Sequence, residues 1–144
     1  MLRILRSTAL CLAAFALASC GDGTGPGFIQ GDFGLTKVNG AAPPVLVEAT
    51  VNCDGLISSG TLSLKIDGSY ELGAELTTDC TRSGGQVSSQ VLGTFGNYSR
   101  SGKTISFQVP GAFPITGTFE NNTITGIIPA SLGLFSNDVE LTYV

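Results

Sequence analysis

Apolar and polar residues alternate along most of the chain beyond residue 30. Leu62, Leu64 and Ile66 alternate with Thr61, Ser63 and Lys65, and Tyr70, Leu72, Ala74 and Leu76 alternate with Glu71 and Glu75. An extended chain points successive side chains to opposite faces, so this period of two predicts strands with one buried face. Asp67-Gly68 between the two runs supplies a tight turn and makes them a hairpin. No stretch long enough for a helix carries an apolar stripe of period 3.6.

The same pattern continues on both sides. Phe33 and Leu35 open a first strand that ends at Asn39-Gly40, a dipeptide suited to positive φ. Pro43-Pro44 then leads into Val45, Val47, Ala49 and Val51. Val87 to Tyr98 reads as one long strand, with Gly93 and Gly96 marking a bulge or bend. Ser101-Gly102 turns into Ile105, Phe107 and Val109. Phe113, Ile115, Gly117 and Phe119 oppose Thr116, Thr118 and Glu120, and Asn121-Asn122 reverses the chain into Ile124, Gly126 and Ile128. Val139, Leu141 and Tyr143 form the last strand. Eight or nine short strands, most joined by tight turns, predict an all-β fold: a small up-and-down antiparallel β-barrel, whose closure would remove its edges, with an open, strongly curled sheet as the alternative that periodicity does not separate from it. Tyr70, Leu72, Phe95, Phe107, Phe113, Phe119 and Tyr143 fall on expected inward faces. There they line a ligand cavity or fill the core, since eight strands leave room for either. So many large side chains in a short barrel favour the filled interior.

The N-terminus differs in composition. Arg3 and Arg6 precede an apolar run from Ala9 to Ala18, too short for a lasting membrane span and suited to an export signal. Gly21 to Gly27 is too rich in glycine to pack and reads as a tether. The chain therefore divides into a signal peptide (residues 1–19), a cysteine and tether (20–30) and a β-barrel domain (31–144). Leu17-Ala18-Ser19-Cys20 resembles the bacterial lipobox, which implies cleavage before Cys20 and lipidation of its thiol. The other reading is ordinary cleavage after Ala18, which leaves Cys20 free. The resemblance implies a membrane partner through the lipid on Cys20. With Gly21 and not Asp next to it, outer-membrane sorting in the cell envelope is the expected location.

Of four cysteines, Cys11 leaves with the signal. Lipidation of Cys20 then leaves Cys53 and Cys80 as one pair, and an exported chain meets oxidising conditions in which a disulfide forms. A pair of buried free thiols is the alternative. Both cysteines follow strands expected to be second and fourth in order, so a bridge requires their loops to fold across the rim.

Charge and chemistry narrow the function. Removing Arg3 and Arg6 from seven basic residues leaves five against eleven acidic, a net charge of −6, and the remaining bases are scattered. Phosphate binding needs clustered Lys and Arg, so no nucleic acid is expected as partner. The chain has no histidine, which excludes His-based acid–base catalysis, a Ser-His-Asp relay and histidine metal sites. No Gly-rich phosphate loop is present. The available carboxylate couples are Glu71 with Glu75, which fit a solvated strand face, and Asp54 with Asp79, which lack the dense spacing of a calcium loop. Neither an enzyme nor a cofactor or metal is expected. The run Ile127 to Phe135 breaks the alternation and reads as a lid or partner patch at the barrel mouth, or as a plug for one end.

Gly31-Asp32-Phe33 looks like the Gly-x-Trp that opens lipocalins, with Phe in place of Trp. Gly31 to Gly40 followed by Pro43 is similar to the opening of small bacterial lipocalin-like lipoproteins. The Arg that lipocalins carry near the last strand to cover that Trp has no counterpart from Val139 to Val144. The resemblance implies an eight-stranded calyx that binds a small hydrophobic ligand or an envelope partner. The alternative is a structural or inhibitory surface lipoprotein with a packed, ligand-free core.

Overall fold

The computed structural model describes residues 27–144. The expected signal peptide, Cys20 and all but the end of the expected tether lie outside them. Nine strands follow in chain order: β1 (Gly31–Val38), β2 (Val45–Ala49), β3 (Asp54–Leu64), β4 (Ser69–Asp79), β5 (Val87–Ser101), β6 (Thr104–Phe107), β7 (Ile115–Glu120), β8 (Thr123–Ile128) and β9 (Val139–Tyr143). Every pairing is antiparallel, and eight strands close a barrel in the order β1-β9-β8-β7-β6-β5-β4-β3 and back to β1. The ninth, β2, adds to the edge of β3.

Closure depends on β1 serving two neighbours. Its first half, Gly31 to Gly34, pairs with Thr61 to Leu64 of β3, and its second half pairs with Leu141 to Tyr143 of β9. A register shift between Leu35 and Lys37 marks the change of partner; an extra residue there bends the strand. The part of β3 that β1 leaves, Asp54 to Ile57, takes β2. Gly60 stands at this junction, where a Cβ would lie 3.1 Å from the Gly73 carbonyl oxygen and 3.2 Å from Leu35.

Two expectations are corrected at the same place. Asn39 (φ 50°) and Gly40 (φ 80°) do form a tight turn, but it closes only the bridge from Val38 to Ala41. Pro43 and Pro44 lack the N–H that a ladder with β1 needs, so the chain crosses to β3 instead of forming a β1–β2 hairpin. Second, β3 begins at Asp54, ahead of the Thr61–Lys65 alternation, and Asp54 faces Asp79 across the β3–β4 ladder. Cys53 and Cys80 are thus the next residues on adjacent strands and form a disulfide, with Cα atoms 4.1 Å apart. No loop has to cross the rim.

The two ends of the barrel differ. The β3–β4, β5–β6 and β7–β8 turns gather at one end with the start of β1. They carry Gly68 (φ 82°), Gly102 (φ 59°) and the pair Asn121 and Asn122 (φ 50° and 58°), the positive angles short hairpins require. Phe33 meets Phe119 edge-on at this end (6.4 Å), and the Arg100 guanidinium lies 5.0 Å from the Phe119 ring centre. Phe28 packs edge-on against Tyr98 at 5.7 Å, and the Tyr98 hydroxyl donates to the Ile29 carbonyl. The opposite end carries the long connections 80–86, 108–114 and 129–138 and stays open. Between the ends lies one core, in which Val38, Ile57, Tyr70, Ile105, Ile124 and Val139 are fully buried.

Candidate functional site

The interior is built from the β4–β5 ladder, which runs through eleven pairs without a register shift. Residues opposite each other in such a ladder share a face. Tyr70 is buried and faces Gly96, Leu72 faces Thr94, and Ala74 faces Leu92. Leu92, Thr94 and Gly96 therefore point inward, while Val91, Gly93 and Phe95 point outward. Gly96 makes the inward space that Tyr70 fills: a Cβ there would lie 3.1 Å from the Tyr70 ring and inside the contact distance of the Gln108 carbonyl. Neither Gly93 nor Gly96 marks a bulge.

This register corrects the expected position of Phe95, which lies outside opposite Glu71 and is 72 % exposed. Phe113 is also outside, at 85 % exposure. Pro114 follows it and cannot donate to β6, so β7 begins only at Ile115, and Phe113 stays in the connecting loop. Ile66 belongs to the β3–β4 turn and is exposed. Phe119 is half-buried and helps seal the closed end. Tyr70, Leu72, Phe107 and Tyr143 do come together around the interior, joined by Thr94, Ile124, Ile128 and Leu141.

Two adjacent spaces result. A small interior cavity of about 40 Å³ lies among Leu62, Tyr70, Phe107, Ile124 and Tyr143. An apolar cleft of about 150 Å³ opens at the long-loop end among Ile57, Ala74, Leu92, Leu134 and Phe135. Leu72, Thr94, Ile128 and Leu141 form the wall shared by both. The segment after β8 holds one side of the cleft. It makes a short 3-10 turn over Ala130–Leu132, and Asp138 fixes its start by accepting from the Ala130 N–H at 2.8 Å. Phe135 is driven into the core, whereas Leu134 stays half-exposed on the rim. The stretch Ile127 to Phe135 is thus a plug with an apolar lip.

No charged residue lines either space. The Tyr70 hydroxyl donates to the Gln108 carbonyl at 3.2 Å, and burial pushes its pKa up, offset in part by Thr94. The Tyr143 hydroxyl is buried with no hydrogen-bond partner, and burial pushes its pKa far above the usual phenol value. The carboxylate couples do not converge on the cleft. Glu71 pairs with Lys65 at 2.5 Å on the outer face, and Glu75 accepts from Ser59 at 3.1 Å. Asp54 pairs with Arg82. Asp79 accepts from the N–H and hydroxyl of Thr81, which holds its carboxyl below the usual range. Among the described residues no group of three or more potential metal ligands assembles.

Ile57, Leu92, Thr94, Leu134 and Phe135 are cleft residues that the alternation pattern missed. One signal for Leu92 and Thr94 was present: Tyr98 has their parity, so a strand without a bulge cannot bury both Tyr98 and Phe95.

The described residues form a small, closed, antiparallel β-barrel with one extra strand and a disulfide between Cys53 and Cys80. Comparison of the chain with family models, curated proteins and solved structures returns no match.

Proposed function

We propose that this protein is a lipid-anchored extracytoplasmic binding module whose barrel takes a small, uncharged apolar ligand in the cleft beside β5. The observation that carries the reading is the cleft itself: it is open to solvent, lined almost wholly by apolar side chains, and shares Leu72, Thr94, Ile128 and Leu141 with the interior cavity. Apolar walls with few polar groups favour ligands that leave water for hydrophobic reasons. Anchoring rests on the lipobox-like Leu17 to Cys20, and outer-membrane sorting rests on Gly21. The likeness to lipocalins is supported by the eight-stranded closure. It is supported also by Phe33 at the start of β1, which meets Phe119 of β7 edge-on, with Arg100 of β5 over the Phe119 ring. The choice of binding over catalysis is supported by the missing histidine and by carboxylates turned away from the cleft.

A second reading is favoured by the interior cavity. At about 40 Å³ it is too small for a ligand, which suits a packed module acting through its loops. Native mass spectrometry of the protein purified from its own envelope separates the two, with toluene titration by NMR as the defined probe. The carrier reading expects a bound apolar molecule or a sub-millimolar toluene site, weakened tenfold or more by Ala74→Leu, which fills the cleft. An empty protein insensitive to toluene would establish the packed module. Incorporation of an alkynyl fatty acid, lost in Cys20→Ala, tests the anchor.

A further inference from the structure

The barrel wall has a long gap in its hydrogen bonding along β5. Residues Val87 to Asn97 of β5 pair with β4 on one side, but β6 pairs only with Tyr98 to Ser101 on the other. The direction of the free groups follows from two bonds. Tyr98 donates its N–H to Gly68 on the β4 side, and Asn97 presents its carbonyl to Gln108 on the far side, each at 2.8 Å. Backbone groups alternate sides along a strand, so Val87, Ser89, Val91, Gly93 and Phe95 turn their N–H and C=O groups to the open edge. The same residues point their side chains to the outer face, where Val87, Val91 and Phe95 are 55 %, 78 % and 72 % exposed.

Exposed strand edges are ordinarily guarded by a charge, a proline or a bulge. This one has none of the three: no charged residue or proline stands between Arg82 and Arg100, and the ladder with β4 shows no shift. We infer that this edge is an interface between two copies of the chain, with β5 pairing antiparallel to β5 of the second copy about a two-fold axis at Val91.

The sequence is self-complementary in that register. Val91 faces its own copy, Phe95 faces Val87, and Gly93 faces Ser89. All three exposed apolar side chains meet apolar partners, and each residue with free backbone groups meets another. Shifting the axis to Gly93 would pair Ser89 with Asn97, whose carbonyl Gln108 already occupies. Shifting it to Ser89 would leave Phe95 facing Ser83, outside the strand. The nearest like charges do not oppose the pairing. Glu75 lies opposite Val91 on β4, so it and its copy stand three strand spacings apart, about 14 Å, beyond the Debye length of ~8 Å at physiological salt. Joining nine residues on each copy covers on the order of 1,000 Å² in total, the lower bound for a specific interface. The pairing satisfies the backbone groups that β6 leaves free on β5, on the strand that also carries Leu92, Gly93 and Thr94 of the cleft.

The test uses the full exported chain purified from its own envelope. Sedimentation equilibrium at about 50 µM in a mild detergent should give the dimer mass for the native chain and the monomer mass for Val91→Lys, with an unchanged far-ultraviolet spectrum. Residues facing each other across a hydrogen-bonded antiparallel pair stand about 5.5 Å apart, within disulfide range. Val91→Cys should therefore oxidise to a covalent dimer, and Val51→Cys, at a more exposed site in a loop, should not. A monomeric native chain, a dimer that survives Val91→Lys, or equal cross-linking at both cysteines would overturn the proposal.

Discussion

Gly96→Ala and Phe95→Ala together test the face that β5 turns inward. The alternation pattern places Phe95 in the core, where truncation costs about 3–5 kcal/mol. In the structure Phe95 is 72 % exposed, so its loss should cost less than about 1 kcal/mol. Gly96 is the sensitive position. A methyl there meets the Tyr70 ring at 3.1 Å and overlaps the Gln108 carbonyl. Gln108 cannot retreat freely, because its N–H donates to Asn97 and its carbonyl accepts from Tyr70. Overpacking of this kind costs about 1–3 kcal/mol, and a pinned backbone oxygen places Gly96→Ala near the upper value. At about 3–4 °C per kcal/mol for a domain of this size, the midpoint should fall by roughly 10 °C. Urea and thermal unfolding at low micromolar concentration, where association through β5 does not contribute, give both values. A neutral Gly96→Ala beside a Phe95→Ala that loses more than about 2 kcal/mol would refute the register.

Burial raises the pKa of all three tyrosines, Tyr70, Tyr98 and Tyr143, above the ordinary 10.0. The folded chain thus keeps protons that the unfolded chain releases: this stability is complete below about pH 10 and is lost as pH rises further, by up to about 1.4 kcal/mol per unit for each tyrosine. Absorbance at 295 nm should show less than half tyrosinate at pH 10. Tyr143→Phe, which removes an unpartnered buried hydroxyl, should leave stability at pH 7 unchanged or higher by about 1 kcal/mol and reduce the alkaline loss. Replacing Cys53 and Cys80 together with alanine opens a loop of 27 positions and should lower the urea-derived stability by about 3.5 kcal/mol; a loss under about 1 kcal/mol would show that the β3–β4 hairpin is already ordered in the unfolded chain.

The all-β class, most of the strands and the closed-end turns were legible in the sequence because their causes are local. Alternation fixes two faces, and Asp67-Gly68, Ser101-Gly102 and Asn121-Asn122 favour the backbone angles of short reversals. The pairing of Cys53 with Cys80 came from counting cysteines. Tertiary structure decided the rest, wherever local preference was divided. The β5 strand has apolar residues of both parities, and its inward face was chosen by a partner: the Tyr70 ring needs the space at Gly96, which commits Thr94 and Leu92 to the cleft and Phe95 to solvent. The start of β3 was hidden because the consecutive Leu56 and Ile57, beside the register shift before Ser59, break the period of two. The place of β2 was settled by prolines that could not pair with β1, and closure by a β1 strand long enough to serve both β3 and β9. Each of these is a choice between two faces or two neighbours, and only contacts distant in sequence distinguish them.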